Sequence, residues 1–152
     1  MNRLPDERVD PAAEVLALLV RNGIDYRREK DGLRFALCEG GRQWETVCRF
    51  SPDTVTIYGV YPFLVTNRAQ ALERINAASA ALKRGGFFLT DKRIALRVSA
   101  DLFDVYSAPE AIARALEYNA GAMVHFWGHM AECAAQNSVF QIEDTETNAT
   151  TQ

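Results

Sequence analysis

The chain reads as one α+β domain: a helix, a three-stranded antiparallel meander, a second helix, a β-hairpin and a long C-terminal helix. Three observations predict this. The apolar period is helical up to Asn22, becomes two between Ile24 and Tyr61, and is helical again after Ser107. Gly or Asp dipeptides separate the alternating runs, where hairpins need them. Strands and helices come in groups, unlike the strict alternation of a parallel βαβ sheet. With 152 residues, 48% of them hydrophobic, the chain can bury one core without disulfides or metal.

Asp10-Pro11 is a helix start, since Asp accepts from orphan N–H groups and Pro tolerates the first helical position. Val15, Leu16, Leu18, Leu19 and Val20 make this helix nearly all apolar, and Asn22-Gly23 stops it. Tyr26 to Glu29 reads as a short lead-in strand. In the meander, a turn centred on Gly40-Gly41 sets Leu37 opposite Trp44 and Leu33 opposite Cys48. Leu33, Phe35, Leu37, Trp44, Cys48 and Phe50 then share a face that Val55 and Ile57 extend. Arg34, Cys38, Gln43, Glu45 and Arg49 take the other face, so a one-residue slip would mix the two sets.

Asn67 and Gln70 predict a cap for the second helix, whose stripe is Leu72, Ile75, Ser79 and Leu82. A hairpin around Asp91-Lys92 joins Phe87–Thr90 to Arg93–Ser99. Ser107 and Glu110 form a capping box for the third helix, expected to run to about Gln136 with Ile112, Leu116, Met123, Trp127 and Met130 inward. Residues 1–9 are expected to be flexible, 10–137 to form the domain, and the polar, acidic stretch 138–152 to be a disordered tail.

Composition excludes several functions. Seventeen basic against 20 acidic residues give a net charge of −3, which is no electrostatic footprint for nucleic acid. Uncharged runs such as Tyr118–Ala131 are too short to span a bilayer, so no membrane association is expected. The start, MNRLPDERVD, has no signal-like apolar run, and three Cys fit reduced thiols in a cytoplasmic protein.

The segment INAASAALKRGGFFLTDKRIALRVSADLF, with Asn76, Gly86-Phe87 and Arg97, resembles the YbjN-like family of bacterial proteins. The Trp44 strand and YGVYPFLVTNRAQAL also look like that family, so the resemblance spans about Leu16 to Met130. It implies the fold of type III secretion chaperones, which are small, acidic and usually homodimeric. It also implies a proposed role in sensory transduction regulation, with no catalytic residues and no cofactor. The stretch holding His125, Trp127 and His129 departs from the family's acidic and proline-bearing pattern.

No constellation outweighs that reading. His125, His129 and Cys133 fall at i, i+4 and i+8 on a helix, but i and i+8 lie about 12 Å apart along its axis. The stretch also lacks the Glu of HExxH, so no metal is assigned to these three. Cys38 and Cys48 fall on opposite sheet faces, and neither has a nearby His. The two Gly-Gly pairs sit outside strand-to-helix phosphate loops, and Asp91, Asp101 and Asp104 suit turns and caps. Asn76 and Asn119 stand among apolar helix positions, and Asn76 is expected to pin backbone.

The expected function is therefore non-catalytic: a chaperone-like or regulatory adaptor for a protein client, acting as a homodimer. Its partner or dimer contacts are expected at Tyr58, Val60, Tyr61, Phe63 and Trp127, from apolar surface that one subunit cannot cover. Asn76, Gly86, Phe87, Arg97, Ser107 and Glu110 are expected to be structural. The alternative is a small-ligand or metal-binding accessory protein using the His125/His129 end of the last helix.

Overall fold

The computed structural model describes residues 9–134. Helix α1 (Pro11–Arg21) leads into strands β1 (Tyr26–Glu29), β2 (Gly32–Glu39), β3 (Arg42–Ser51) and β4 (Thr54–Val60). Helix α2 (Arg68–Ala81), strands β5 (Gly86–Thr90) and β6 (Arg93–Asp101), and helices α3 (Ala108–His125) and α4 (Trp127–Ala131) follow. All strands belong to one antiparallel sheet in the order β1-β2-β3-β4-β6-β5. The lead-in strand is therefore a paired edge, and the meander has four strands. The expected tail at 138–152 and residues 1–8 of the flexible start lie outside the described residues. Val9, counted with that start, packs against the core.

The alternation of side chains fixes how the sheet is covered. Leu37 opposes Trp44, Leu33 opposes Cys48 and Cys48 opposes Ile57, as the turn chemistry requires. Leu33, Phe35, Trp44, Cys48, Val55, Ile57, Ile94, Leu96 and Val98 are all buried on one face, beneath the helices. Helix α3 lies over β4 and β6, α1 packs beside α3, and α2 covers β5. The α1 surface is less apolar inside than its sequence suggests: Val15 and Leu19 are buried, while Val20 is 67% exposed. No helix among the described residues is long and apolar enough to cross a membrane.

Several local expectations are corrected. The inward side of α2 is Ala71, Ile75 and Ala78, whereas Leu72, next to Ala71 in the chain, falls on the outward side and is 44% exposed. Asn76 is exposed on that outward side, so it pins no backbone. Ser107 takes the N-cap position of α3 but makes no side-chain cap bond, its backbone being already helical at φ −91°, ψ −12°. Asp104 does the work instead, its Oδ1 accepting from the Tyr106 and Ser107 N–H groups at 2.8 Å each. Glu110 pairs with Arg114 in solvent rather than closing a capping box. The last helix is also broken: Phe126 (φ −96°, ψ 8°) ends α3, and the short α4 begins at Trp127.

Candidate functional site

The break at Phe126 builds an aromatic cluster from residues that sequence assigned to a partner. Phe126 turns toward Phe87, with rings 5.4 Å apart and edge-on. Trp127 turns the other way, meeting Trp44 at 6.0 Å, Tyr61 at 5.3 Å and Phe63 at 5.8 Å. Edge-to-face and offset pairs of this kind add about 0.5–1.5 kcal/mol each beyond area burial. Tyr61 is fully buried, stacks on Phe63, and donates its hydroxyl hydrogen to Met123 O at 2.8 Å. Burial pushes its phenol well above the ordinary tyrosine range. Tyr61 is thus a core side chain of one subunit, and Phe63 and Trp127 pack half-buried against that core, covered by the chain at the helix break. Arg42 caps the cluster, its guanidinium 5.7 Å from the Trp127 ring.

Tyr58 and Val60 behave differently. They lie half-buried on the sheet face that carries no helix among the described residues, beside Val47 and Ala95 in register. That open face is rich in arginine. Arg34 is its best-held member, donating from Nε to Glu29 at 2.5 Å and from Nη1 to Glu45 at 2.7 Å. The Arg34 hydrogen bond is the chief reason the Glu29 carboxyl sits below its ordinary range. Tyr58 and Phe88 meet edge-on with centroids 6.1 Å apart.

The metal-ligand candidates do not converge. His125 and His129 are exposed on either side of the helix break, each beside the Phe126 ring, while Cys133 is buried. Among the described residues no group of three or more His, Cys, Asp or Glu side chains gathers at one point. Arg74 instead ties this end down, donating to His129 O at 2.8 Å and pairing with Glu132. Cys133 O accepts from Thr66 and Asn67 N–H, so α4 is fastened to the start of α2. Of the other expected structural residues, Phe87 is buried in the core, Gly86 opens β5, and Arg97 is exposed on the open face.

Two shallow apolar hollows flank α3. One, of about 230 Å³, lies between α1, β2 and α3 and is lined by Leu18, Ile24, Phe35, Leu37 and Leu116 among others. The other, of about 400 Å³, includes Leu82, Tyr118, Gly121, His125 and Phe126. His125 lines this second hollow without His129, so no enclosed two-histidine pocket forms there. The most exposed large apolar side chains were missed in the sequence: Phe103 at 86% and Tyr106 at 71%, in the loop between β6 and α3. Their signal was two aromatics amid Asp101, Asp104 and Ser107, residue types that belong to loops.

These features define a class: an antiparallel six-stranded sheet with the described helices packed on one face. The fold is YbjN-like. It is similar to the crystal structure of YbjN, a candidate transcription regulator from E. coli, with a TM-score of 0.58 and 13% identity over 81% of this chain and 96% of that one. No family model matches the chain, and no curated protein matches its sequence.

Proposed function

We propose that the chain is a non-catalytic regulatory adaptor of a bacterial cytoplasm that holds a protein partner and pairs with a second copy of itself. The observation that carries this is the display of Phe103 and Tyr106 on one short loop. Exposed aromatics are costly to hydrate and are enriched at the centres of protein interfaces. The loop is also firmly placed, so the display is not a frayed end. Leu102 is buried and its N–H donates to Asp53 O at 2.8 Å, while Asp104 Oδ1 organises the turn that follows. The likeness in fold to a candidate transcription regulator supports the regulatory side of the reading.

Sedimentation of the wild type at micromolar concentration should give about twice the chain mass. The double variant Phe103→Ser, Tyr106→Ser should sediment as a monomer with an unchanged far-UV spectrum. A monomeric wild type overturns the pairing. A variant that stays dimeric removes this loop from the contact, and Tyr58→Glu then asks whether the open sheet face forms it.

A further inference from the structure

The open face of the sheet carries a second feature, a polar pocket of about 380 Å³ lined by Thr56, Tyr58, Arg84, Gly85, Arg97 and Ser99. Its walls come from β4, β6 and the loop that follows α2, so three separate chain segments converge on it. We propose that this pocket binds a small phosphate monoester, with Arg84 and Arg97 gripping the phosphate.

The lining is almost entirely donors. It offers two guanidinium groups and the hydroxyls of Thr56, Tyr58 and Ser99, and no carboxylate. Asp101 faces the same side of β6 but lies two residues past Ser99, opposite Thr54, and does not line the pocket. Glu29 and Glu45 are engaged with Arg34 further across the sheet. The Ser99 hydroxyl donates to Thr56 Oγ1 at 3.4 Å, which leaves the Thr56 proton for a ligand. Guanidinium forks match the paired oxygens of phosphate in geometry as well as charge. A dianion accepts from both forks and the hydroxyls together, whereas a lone carboxylate is satisfied by one fork.

Arg84 is held ready. Its Nη2 donates to Ser99 O at 2.7 Å, and its guanidinium lies 5.9 Å from the Tyr118 ring. Its loop is fixed because the Lys83 and Arg84 N–H groups both donate to the Tyr118 hydroxyl, at 2.8 and 3.4 Å. The same loop presses against β6 so closely that a Cβ on Gly85, which has φ +69°, would sit 2.0 Å from Arg97 O. Only glycine allows that approach, and the approach brings the two arginines to one pocket. Arg97 stands opposite Tyr58 in register, exposed and engaged in no ion pair among the described residues. A volume of this order suits a phosphate together with its organic group, small-molecule sites spanning roughly 300–1,000 Å³. The Tyr58–Phe88 pair gives that group an aromatic neighbour.

The test is calorimetric titration of the full chain at constant ionic strength with inorganic phosphate, AMP, adenosine and a single-stranded oligonucleotide. AMP should bind saturably at one site, at least tenfold tighter than adenosine, with phosphate competing. Arg97→Gln should weaken AMP at least tenfold, and Arg97→Lys, which keeps charge without the fork, should also weaken it. Arg93→Gln, on the same face outside the pocket, should leave it unchanged. Because Arg97 makes no bond that the fold needs, its variants should melt like the wild type. Arg84→Gln provides the second arm, read by AMP affinity after its circular dichroism matches the wild type. The proposal is overturned by no saturable AMP or phosphate binding, by equal losses in the Arg93 and Arg97 variants, or by binding of the oligonucleotide alone.

Discussion

Asn119 and Gly59 are fitted to each other across the interface of α3 with the sheet. The Asn119 Nδ2 group donates to Ile57 O at 3.2 Å and to Leu96 O at 3.1 Å, bridging β4 and β6. A Cβ on Gly59 would stand 2.6 Å from Asn119 Oδ1 and 3.0 Å from Met123, so a methyl-free position is what admits the carboxamide. Polar helix residue and bare strand residue together let α3 lie close on the sheet.

Gly59→Ala should destabilise the fold by about 1–3 kcal/mol through overpacking. Asn119→Ala should cost about 2–3 kcal/mol by removing two bonds to buried carbonyls. In the double variant the costs should sum to less than the parts by roughly 1 kcal/mol, since the atom that clashes is gone. Urea midpoints of the four proteins measure this; strict additivity would show that the two residues act separately.

The cap of α3 is the next prediction. Asp104→Ala should lower stability by about 1 kcal/mol, because its Oδ1 serves the Tyr106 and Ser107 N–H groups. Ser107→Ala should stay within about 0.5 kcal/mol, since the Ser107 side chain makes no cap bond. The reverse ranking in a denaturant series would restore the Ser107–Glu110 capping box.

This contrast shows where the sequence was readable. Strand register depends on turn geometry and a period of two, both local, so Leu37–Trp44 and Leu33–Cys48 followed from Gly40-Gly41 alone. The Asp10 and Asn67 caps were legible for the same reason, each accepting from the N–H three residues on. Ser107 failed because Asp104 competes three residues earlier. Which of the two wins is set by how Leu102 anchors the loop to Asp53, a contact between distant segments. The break at Phe126 was hidden likewise, since the stripe through Met123, Trp127 and Met130 fits a straight helix. Only the positions of Phe87 and Trp44 on separate strands pull the two rings apart. The polar pocket was out of reach because Arg84, Tyr58 and Arg97 come together through the crossover of β6 beside β4.

Thiol chemistry gives a pH-dependent prediction. Burial pushes the Cys48 thiol up to about 12 from an ordinary 9.0, whereas Cys38 is exposed. In the native state Cys38 should react with an alkylating reagent at pH 8, and Cys48 only after unfolding. The unfolded chain releases the Cys48 proton first, so this group's contribution is intact below about pH 9 and is lost as pH climbs toward 12. At pH 10 the loss should be about 1 kcal/mol relative to a Cys48→Ala reference, whose alkaline stability slope lacks this component. Rapid labelling of two or more thiols in the folded protein would contradict the burial.

The helix break carries the final prediction. Trp127 is half-buried, yet it contacts Trp44, Tyr61 and Phe63, and Arg42 closes its outer face. Trp127→Ala should therefore destabilise the fold by about 3 kcal/mol, from lost burial and lost ring pairs together. Trp127→Phe keeps an edge for Tyr61 and should cost about 1 kcal/mol. The same argument makes the neighbouring position separable. Phe126→Ala should remove the ring contacts with Phe87, His125 and His129 and none of those that Trp127 makes with Trp44, Tyr61 and Phe63, so the two costs should add with little overlap. Near-ultraviolet circular dichroism offers a second reading, because the chain holds only two tryptophans and their rings lie 6.0 Å apart. Removing Trp127 should erase much of the aromatic signal while far-ultraviolet helicity stays. A Trp127→Ala protein with wild-type stability would mean that α4 does not dock on the sheet. In that case α3 would continue straight through Phe126, and Tyr61 and Phe63 would return to the surface as candidates for the dimer contact.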